Sequence, residues 1–175
     1  KHVKYGDKKN ILYRIENGEI KPSKSLADSL VSMIKGNQEF VMIDDQKVVY
    51  EEALALGKKS SIDNKNVLIV EGGPGTGKSV VAINLLVALT KLGLNTRYVT
   101  KNSAPRDVFE SKLTGTLKKT HISNMFTGSG SYTDCKENTF DSLIVDEAHR
   151  LNEKSGMFKN YGENQIKEII KSAKS

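Results

Sequence analysis

The sequence predicts an α/β fold: a parallel sheet with helices on both faces. Three observations predict it. Short apolar runs suited to buried strands, Val67–Val70, Thr96–Thr100 and Phe140–Asp146, alternate with longer stretches of helical periodicity. The first run leads into a glycine-rich turn that opens onto a helix. The third ends in two adjacent carboxylates, as a buried parallel strand does when its C-terminal end faces a ligand.

The elements follow in chain order. Ile11 to Lys21 alternates around Asn17-Gly18, the short-range signal for a hairpin with a type I′ turn, and Pro22 closes the run. Ser25 to Lys35 reads as a short helix, with Leu26, Leu30, Met33 and Ile34 on one face and Gly36 as the stop. Residues 1–36 thus form a small N-terminal α+β appendage, and residues 37–175 form the core domain. Phe40 to Ile43 is a short strand candidate. Asp44 or Asp45 then caps a helix to about Leu56, with Gly57 as its C-cap. Lys58 to Asn66 is a polar loop before the first core strand. Val80 to Leu92 is a helix ended by Gly93 and Asn95, and Thr96 to Thr100 is the second strand. Pro105 opens a helix through about Leu113, since proline suits a first turn. Thr114 to Thr139 is rich in Gly, Ser, Thr and Lys and shows only one apolar spot, Ile122 to Phe126. After the third strand, Ser155 to Gly162 is loop-like. Asn164 to Ala173 is a helix with Ile166, Ile169 and Ile170 inward.

Gly72-Gly73-Pro74-Gly75-Thr76-Gly77-Lys78-Ser79 fits the phosphate-binding pattern G-x-x-x-x-G-K-[ST], and it has the strand before and the helix after that the pattern requires. The glycines let the backbone curl so that successive N–H groups point at phosphate oxygens. Lys78 can reach the β- and γ-phosphates, and the Ser79 hydroxyl can ligate Mg2+. Val80 begins the helix whose N-terminal dipole adds to the anion site. Gly72 to Val80 is therefore the expected nucleotide cradle. Downstream, Leu143-Ile144-Val145 ends in Asp146-Glu147. Asp146 would hold Mg2+, and Glu147 would orient and deprotonate an attacking water. Together the two motifs point to a nucleoside triphosphate bound with Mg2+ and to its hydrolysis, with Glu147 and Lys78 as the catalytic residues.

The 175 residues suffice for one domain with a real core. No apolar run is long enough to span a bilayer, and no signal-peptide pattern opens the chain, so no membrane partner is expected. The single cysteine, Cys135, cannot form an internal disulfide, which suits a reducing, cytoplasmic setting. The net charge of +6 allows an anionic polymer partner, although a solvated lysine-rich surface has the same composition.

The segments "SLIVDEAHR" and "LNEKSGMFKNYGENQIKEII" resemble the Schlafen-like P-loop ATPases of bacteria, whose core is similar to that of superfamily 1 DNA/RNA helicases. The resemblance covers about Phe40 to the C-terminus. It implies a RecA-like P-loop NTPase core corresponding to the first motor lobe. The chain stops soon after Arg150 with no further core strand readable, so the sheet is expected to be incomplete and a second motor lobe to belong to a longer parent. "IDDQKVVYEEAL" looks like the upstream glutamine motif of such helicases, which makes Gln46 the adenine reader. "YVTKNSAPRDVF" lies where those helicases touch single-stranded DNA or RNA, so Lys101, Asn102, Ser103 and Arg106 become backbone-phosphate contacts. His149 and Arg150 would couple the γ-phosphate to a partner surface. Each of these segments also reads as ordinary loop or helix-start polarity. The leading expectation is an ATPase coupled to a nucleic acid. The alternatives are an ATP-dependent switch with no nucleic-acid role, and a nucleotide-binding fragment without turnover.

Overall fold

The computed structural model describes residues 24–35, 42–154 and 162–174. Its helices are α1 (Lys24–Ile34), α2 (Asp44–Lys58), α3 (Lys78–Lys91), α4 (Ser103–Leu113), α5 (Lys119–Met125) and α6 (Gln165–Ser172). Its strands are β1 (Thr96–Thr100), β2 (Phe126–Gly128) and β3 (Ser142–Val145), and short 3-10 turns occupy Ser129–Tyr132 and Ala148–Arg150. The sheet is parallel throughout, in the order β2-β1-β3, with Tyr98 opposite both Phe126 and Ile144.

Alternation along the strands sends side chains to both faces, and each face is covered. On one face α1, α3, α4 and α5 contribute Leu30, Ile83, Leu86, Phe109 and Ile122 to a cluster around Tyr98 and Phe126. On the other, Val99 packs with Tyr132, Phe140 and Ile169. The chain is therefore an α/β domain with helices on both faces of a parallel sheet, as the strand–helix alternation predicts. Leu30 and Met33 of α1 lie in the same cluster as the helix that follows the glycine-rich turn, so packing is continuous across position 36. The hairpin reading of residues 11–21 lies outside the described residues, as do Phe40 and Val41 of the strand candidate and the loop over 155–161.

Val67–Val70 requires a correction. It is not a strand: it has no ladder partner among the described residues, and its four residues are 37% to 77% exposed. A run of apolar residues becomes a strand only when a neighbour satisfies its N–H and C=O groups, and none of the described residues does so here. Asp141 N–H donates toward β1, to Asn95 O, so Phe140 faces the opposite side. There Phe140 forms an isolated parallel bridge with Ala173. Phe140 N donates to Ser172 O at 3.1 Å and accepts at its carbonyl from Lys174 N at 2.8 Å. The lead-in to the glycine-rich turn is tied to the same region: Ser60 Oγ donates to Asp141 O and Lys65 Nζ to Ile170 O. Asp141 also accepts from Lys174 Nζ at 2.8 Å, and that bond holds its carboxyl below the usual carboxylate range.

Other boundaries shift for local reasons. Ile43 precedes α2, Asp44 and Asp45 fall in its first turn, and Gly57 lies inside the helix as a buried residue rather than as its C-cap. Close approach explains this glycine: a Cβ there would sit 2.8 Å from Leu89 Cδ2 and 3.4 Å from Ser142 Oγ. Leu89 is 1% exposed and cannot swing away. Gly57→Ala is expected to lower stability by roughly 1 kcal/mol in chemical denaturation, because overpacking outweighs the gain in helix propensity. The end of α3 matches its glycine signal. Gly93 has φ +80°, its N–H donates to Thr90 O, and Leu94 N–H donates to Leu89 O, which is a Schellman closure.

Helix α4 starts before Pro105, capped by Asn102, whose side chain accepts from Ala104 N. The 114–139 stretch holds a helix and a strand that composition hides. In α5 only Ile122 and Met125 are buried. Helix α6 turns a mixed face inward: Gln165, Glu168, Ile169 and Ser172 are buried, whereas Ile166 is exposed. The buried polar groups have partners. Gln165 Oε1 accepts from Asn152 N, and Glu168 Oε1 accepts from Glu163 N.

Candidate functional site

Gly75 and Gly77 adopt φ of +77° and +83°, conformations that suit glycine, and Gly77 N-caps α3. A side chain at Gly77 would also run into Gln46 Nε2. The loop folds around the ammonium of Lys78, whose Nζ donates to Gly72 O at 2.7 Å and to Gly73 O at 2.8 Å. Thr76 Oγ1 closes the turn by donating to Gly73 O at 2.9 Å. Residues 71–76 are exposed, while Gly77, Lys78, Ser79 and Val80 are half-buried at the start of the helix. Pro74 and Gly75 form the turn within the exposed stretch. The result is a surface loop with a lysine at its centre and a helix N-terminus at its base, which favours anions.

Gln46, on α2, reaches this loop. Its Nε2 donates to Thr76 O at 2.9 Å, and its Oε1 accepts from Ile43 N at 3.4 Å. In this arrangement the amide braces the glycine-rich loop through both its nitrogen and its oxygen.

The second motif meets the first through β3. Asp146 follows the last residue of β3, held in place by its N–H to Val99 O at 3.0 Å. Its Oδ2 accepts from Ser79 Oγ at 2.9 Å, a contact between residues 67 apart in sequence. The same oxygen accepts from the Tyr98 hydroxyl, and Oδ1 accepts from Glu147 N at 3.1 Å. Burial, and then the Asp146 charge beside it, push the Tyr98 hydroxyl far above its ordinary pKa, so it remains a donor. Glu147 sits in the left-handed region at φ 54°, uncommon for a residue with a side chain. Its carboxylate lies 3.2 Å from His149 Nε2 and 3.6 Å from Arg150 Nε. His149 and Arg150 therefore flank Glu147 directly.

Among the described residues, no three His, Cys, Asp or Glu side chains gather as a metal-binding group. The Ser79 hydroxyl and Asp146 carboxylate are nonetheless hard oxygen donors in contact. They fit Mg2+, which keeps several waters and takes further oxygens from phosphates rather than from an all-protein cage.

The proposed polymer-contact residues lie past the end of β1. Lys101 Nζ donates to Asn152 Oδ1 at 2.7 Å, which ties this segment to the loop that leaves Arg150. Asn102 is committed to capping α4, and Ser103 is its exposed first residue. Arg106 packs its guanidinium against Gly128 and lines a cleft with Glu110, Ser123, Thr127 and Ser131. Its buried Nε has no hydrogen-bond partner among the described residues. The fold thus brings Lys78, Ser79, Asp146 and Glu147 together at one place. It puts Gln46 against the loop and leaves Arg106 beside β2.

The motif reading missed Tyr98 and Asn152. Tyr98 carries the only available signal: a tyrosine in a run that also reads as a buried strand needs a partner for its hydroxyl. Asn152 sits in a polar stretch with no pattern to single it out.

Residues 65–175 match the family described as Schlafen group 3, DNA/RNA helicase domain, a stretch of more than half the chain. No curated protein and no solved structure matches the chain. No helix of the described residues is long and apolar enough to cross a membrane.

Proposed function

Because the chain belongs to the Schlafen group 3 DNA/RNA helicase-domain family, we propose that it binds ATP with Mg2+ and hydrolyses it in a cycle coupled to single-stranded DNA or RNA. The observation that carries this reading is the Ser79–Asp146 hydrogen bond at 2.9 Å, which joins the phosphate-loop motif to the paired carboxylates. That contact supports reading two motifs, each with an innocuous explanation of its own, as one site.

The residues divide the work as follows. Backbone N–H groups of the 72–79 loop and the N-terminus of α3 surround the phosphates. Lys78 exchanges its contacts to the Gly72 and Gly73 carbonyls for β- and γ-phosphate oxygens. Ser79 and Asp146 would hold the metal with the hydroxyl and carboxylate oxygens that meet at 2.9 Å. When bound, Mg2+ neutralises charge on the β/γ oxygens. Glu147 accepts the proton of the attacking water, and His149 and Arg150 fix the direction of its carboxylate. Gln46 reads adenine from its place against the loop. The Lys101–Asn152 contact links the polymer-facing segment to the loop that carries the base.

The test is steady-state ATP turnover with and without single-stranded DNA and RNA, using Glu147→Gln as the blank. A polymer is expected to raise turnover, and rising salt to reduce that stimulation, because phosphate contacts release counterions. Turnover indifferent to every polymer would replace this reading with an ATP-dependent switch acting on a protein contact.

A further inference from the structure

We propose that Tyr98 is the positioning residue of the metal carboxylate: its hydroxyl fixes Asp146, so that the metal affinity of the nucleotide complex depends on a residue inside the aromatic core. The inference rests on the nucleotide-site reading above and deepens it.

Tyr98 is central in β1, 2% exposed, and level with Ile144 of β3. Asp146 lies two residues beyond Ile144, hence on the same side of the strand path and within diagonal reach of a long side chain. The ring is held by neighbours. Phe109 meets it edge-on at 6.0 Å between centroids, and Phe126 meets it tilted at 5.7 Å. Phe109 and Phe126 are themselves stacked at 4.9 Å. For packing alone, phenylalanine would serve at position 98 as it does at the other two. A buried hydroxyl is unfavourable unless it is bonded, and Asp146 Oδ2 is its partner.

The bond has a consequence for Asp146. Its Oδ2 takes two donors, one from the phosphate-loop helix and one from the core, while Oδ1 takes the Glu147 N–H. Ser79 must turn its oxygen lone pairs toward a metal ligated there. Tyr98 has no such second task and sits in a packed cluster. It is therefore the side-chain donor that, with the Glu147 N–H on Oδ1, holds the carboxylate in one orientation. Partners of this kind behind a ligand set metal affinity without touching the metal.

The experiment uses Tyr98→Phe in the full chain, which keeps the ring and removes the hydroxyl. Mn2+ affinity is measured by electron paramagnetic resonance in the presence of a non-hydrolysable ATP analogue, and analogue affinity is measured separately in EDTA. The expected result is about a 10- to 100-fold loss of Mn2+ affinity in the ternary complex, with analogue affinity in EDTA unchanged. In an Asp146→Asn background, Tyr98→Phe is expected to add no further loss, because the two residues act through one bond. Unchanged Mn2+ affinity would overturn the proposal. An equal loss of analogue affinity in EDTA, or full additivity with Asp146→Asn, would show a packing role and also overturn it. Failure of the parent chain itself to bind the analogue overturns the nucleotide site, and the role of Tyr98 with it.

Discussion

Glu147→Gln is expected to keep MgATP binding while lowering turnover by about 10²- to 10⁴-fold, the range supplied by a positioned general base. The glutamine is nearly isosteric and can still accept a hydrogen bond from water, but it cannot take a proton. The surroundings of Glu147 explain why binding should survive. Its carboxylate faces His149 and Arg150, not Ser79 or Lys78. The backbone hydrogen bond from Glu147 N to Asp146 Oδ1 does not involve the side chain that changes. The measurement is single-turnover hydrolysis beside equilibrium binding of MgATP. Turnover equal to that of the parent would remove Glu147 from the role of base. Parallel loss of binding and turnover would make it a ligand-site residue instead.

Lys78→Ala is expected to weaken nucleotide binding by about 100-fold or more. Each charge-assisted hydrogen bond is worth about 1.5–3 kcal/mol, and Lys78 can give two to phosphate oxygens. A factor of ten corresponds to about 1.4 kcal/mol, so two such bonds account for at least two decades. The same substitution should hardly change folding stability. Lys78 Nζ binds the carbonyls of Gly72 and Gly73, which are exposed and can turn to water. Calorimetric binding together with a thermal melt separates the two effects. An unaltered dissociation constant would contradict the site assignment.

Much of the site was legible because its chemistry is local in sequence. The turn from Gly72 to Ser79 needs glycines at the two left-handed positions, Gly75 and Gly77, and a lysine and hydroxyl at the helix start. Strand β1 was legible because a short run rich in β-branched and aromatic residues, all but Arg97 of them buried, lies between turn signals at both ends. Strand β2 was not, since Phe126-Thr127-Gly128 is too short to show a period, and α5 buries only two apolar residues. Gly57 reads as a helix stop, yet its reason is Leu89, a residue on another helix that no local pattern can reveal. The inward face of α6 is legible only in part, with Ile169 in the core as its spacing predicts. Ile166 looks like core, but Gln165 and Glu168 have hydrogen-bonding duties there that bring them inside. Val67–Val70 has the composition of a strand, but strand formation is a property of a pair, and the run pairs with none of the described residues.

The most direct measurement is isothermal calorimetry of ATP on the chain, with Mg2+ and with EDTA, alongside Lys78→Ala. One saturable site that tightens with Mg2+ and is lost in Lys78→Ala is the expected result. No saturable binding, or binding indifferent to both Mg2+ and Lys78, would contradict a nucleotide site built from the 72–79 loop and Asp146.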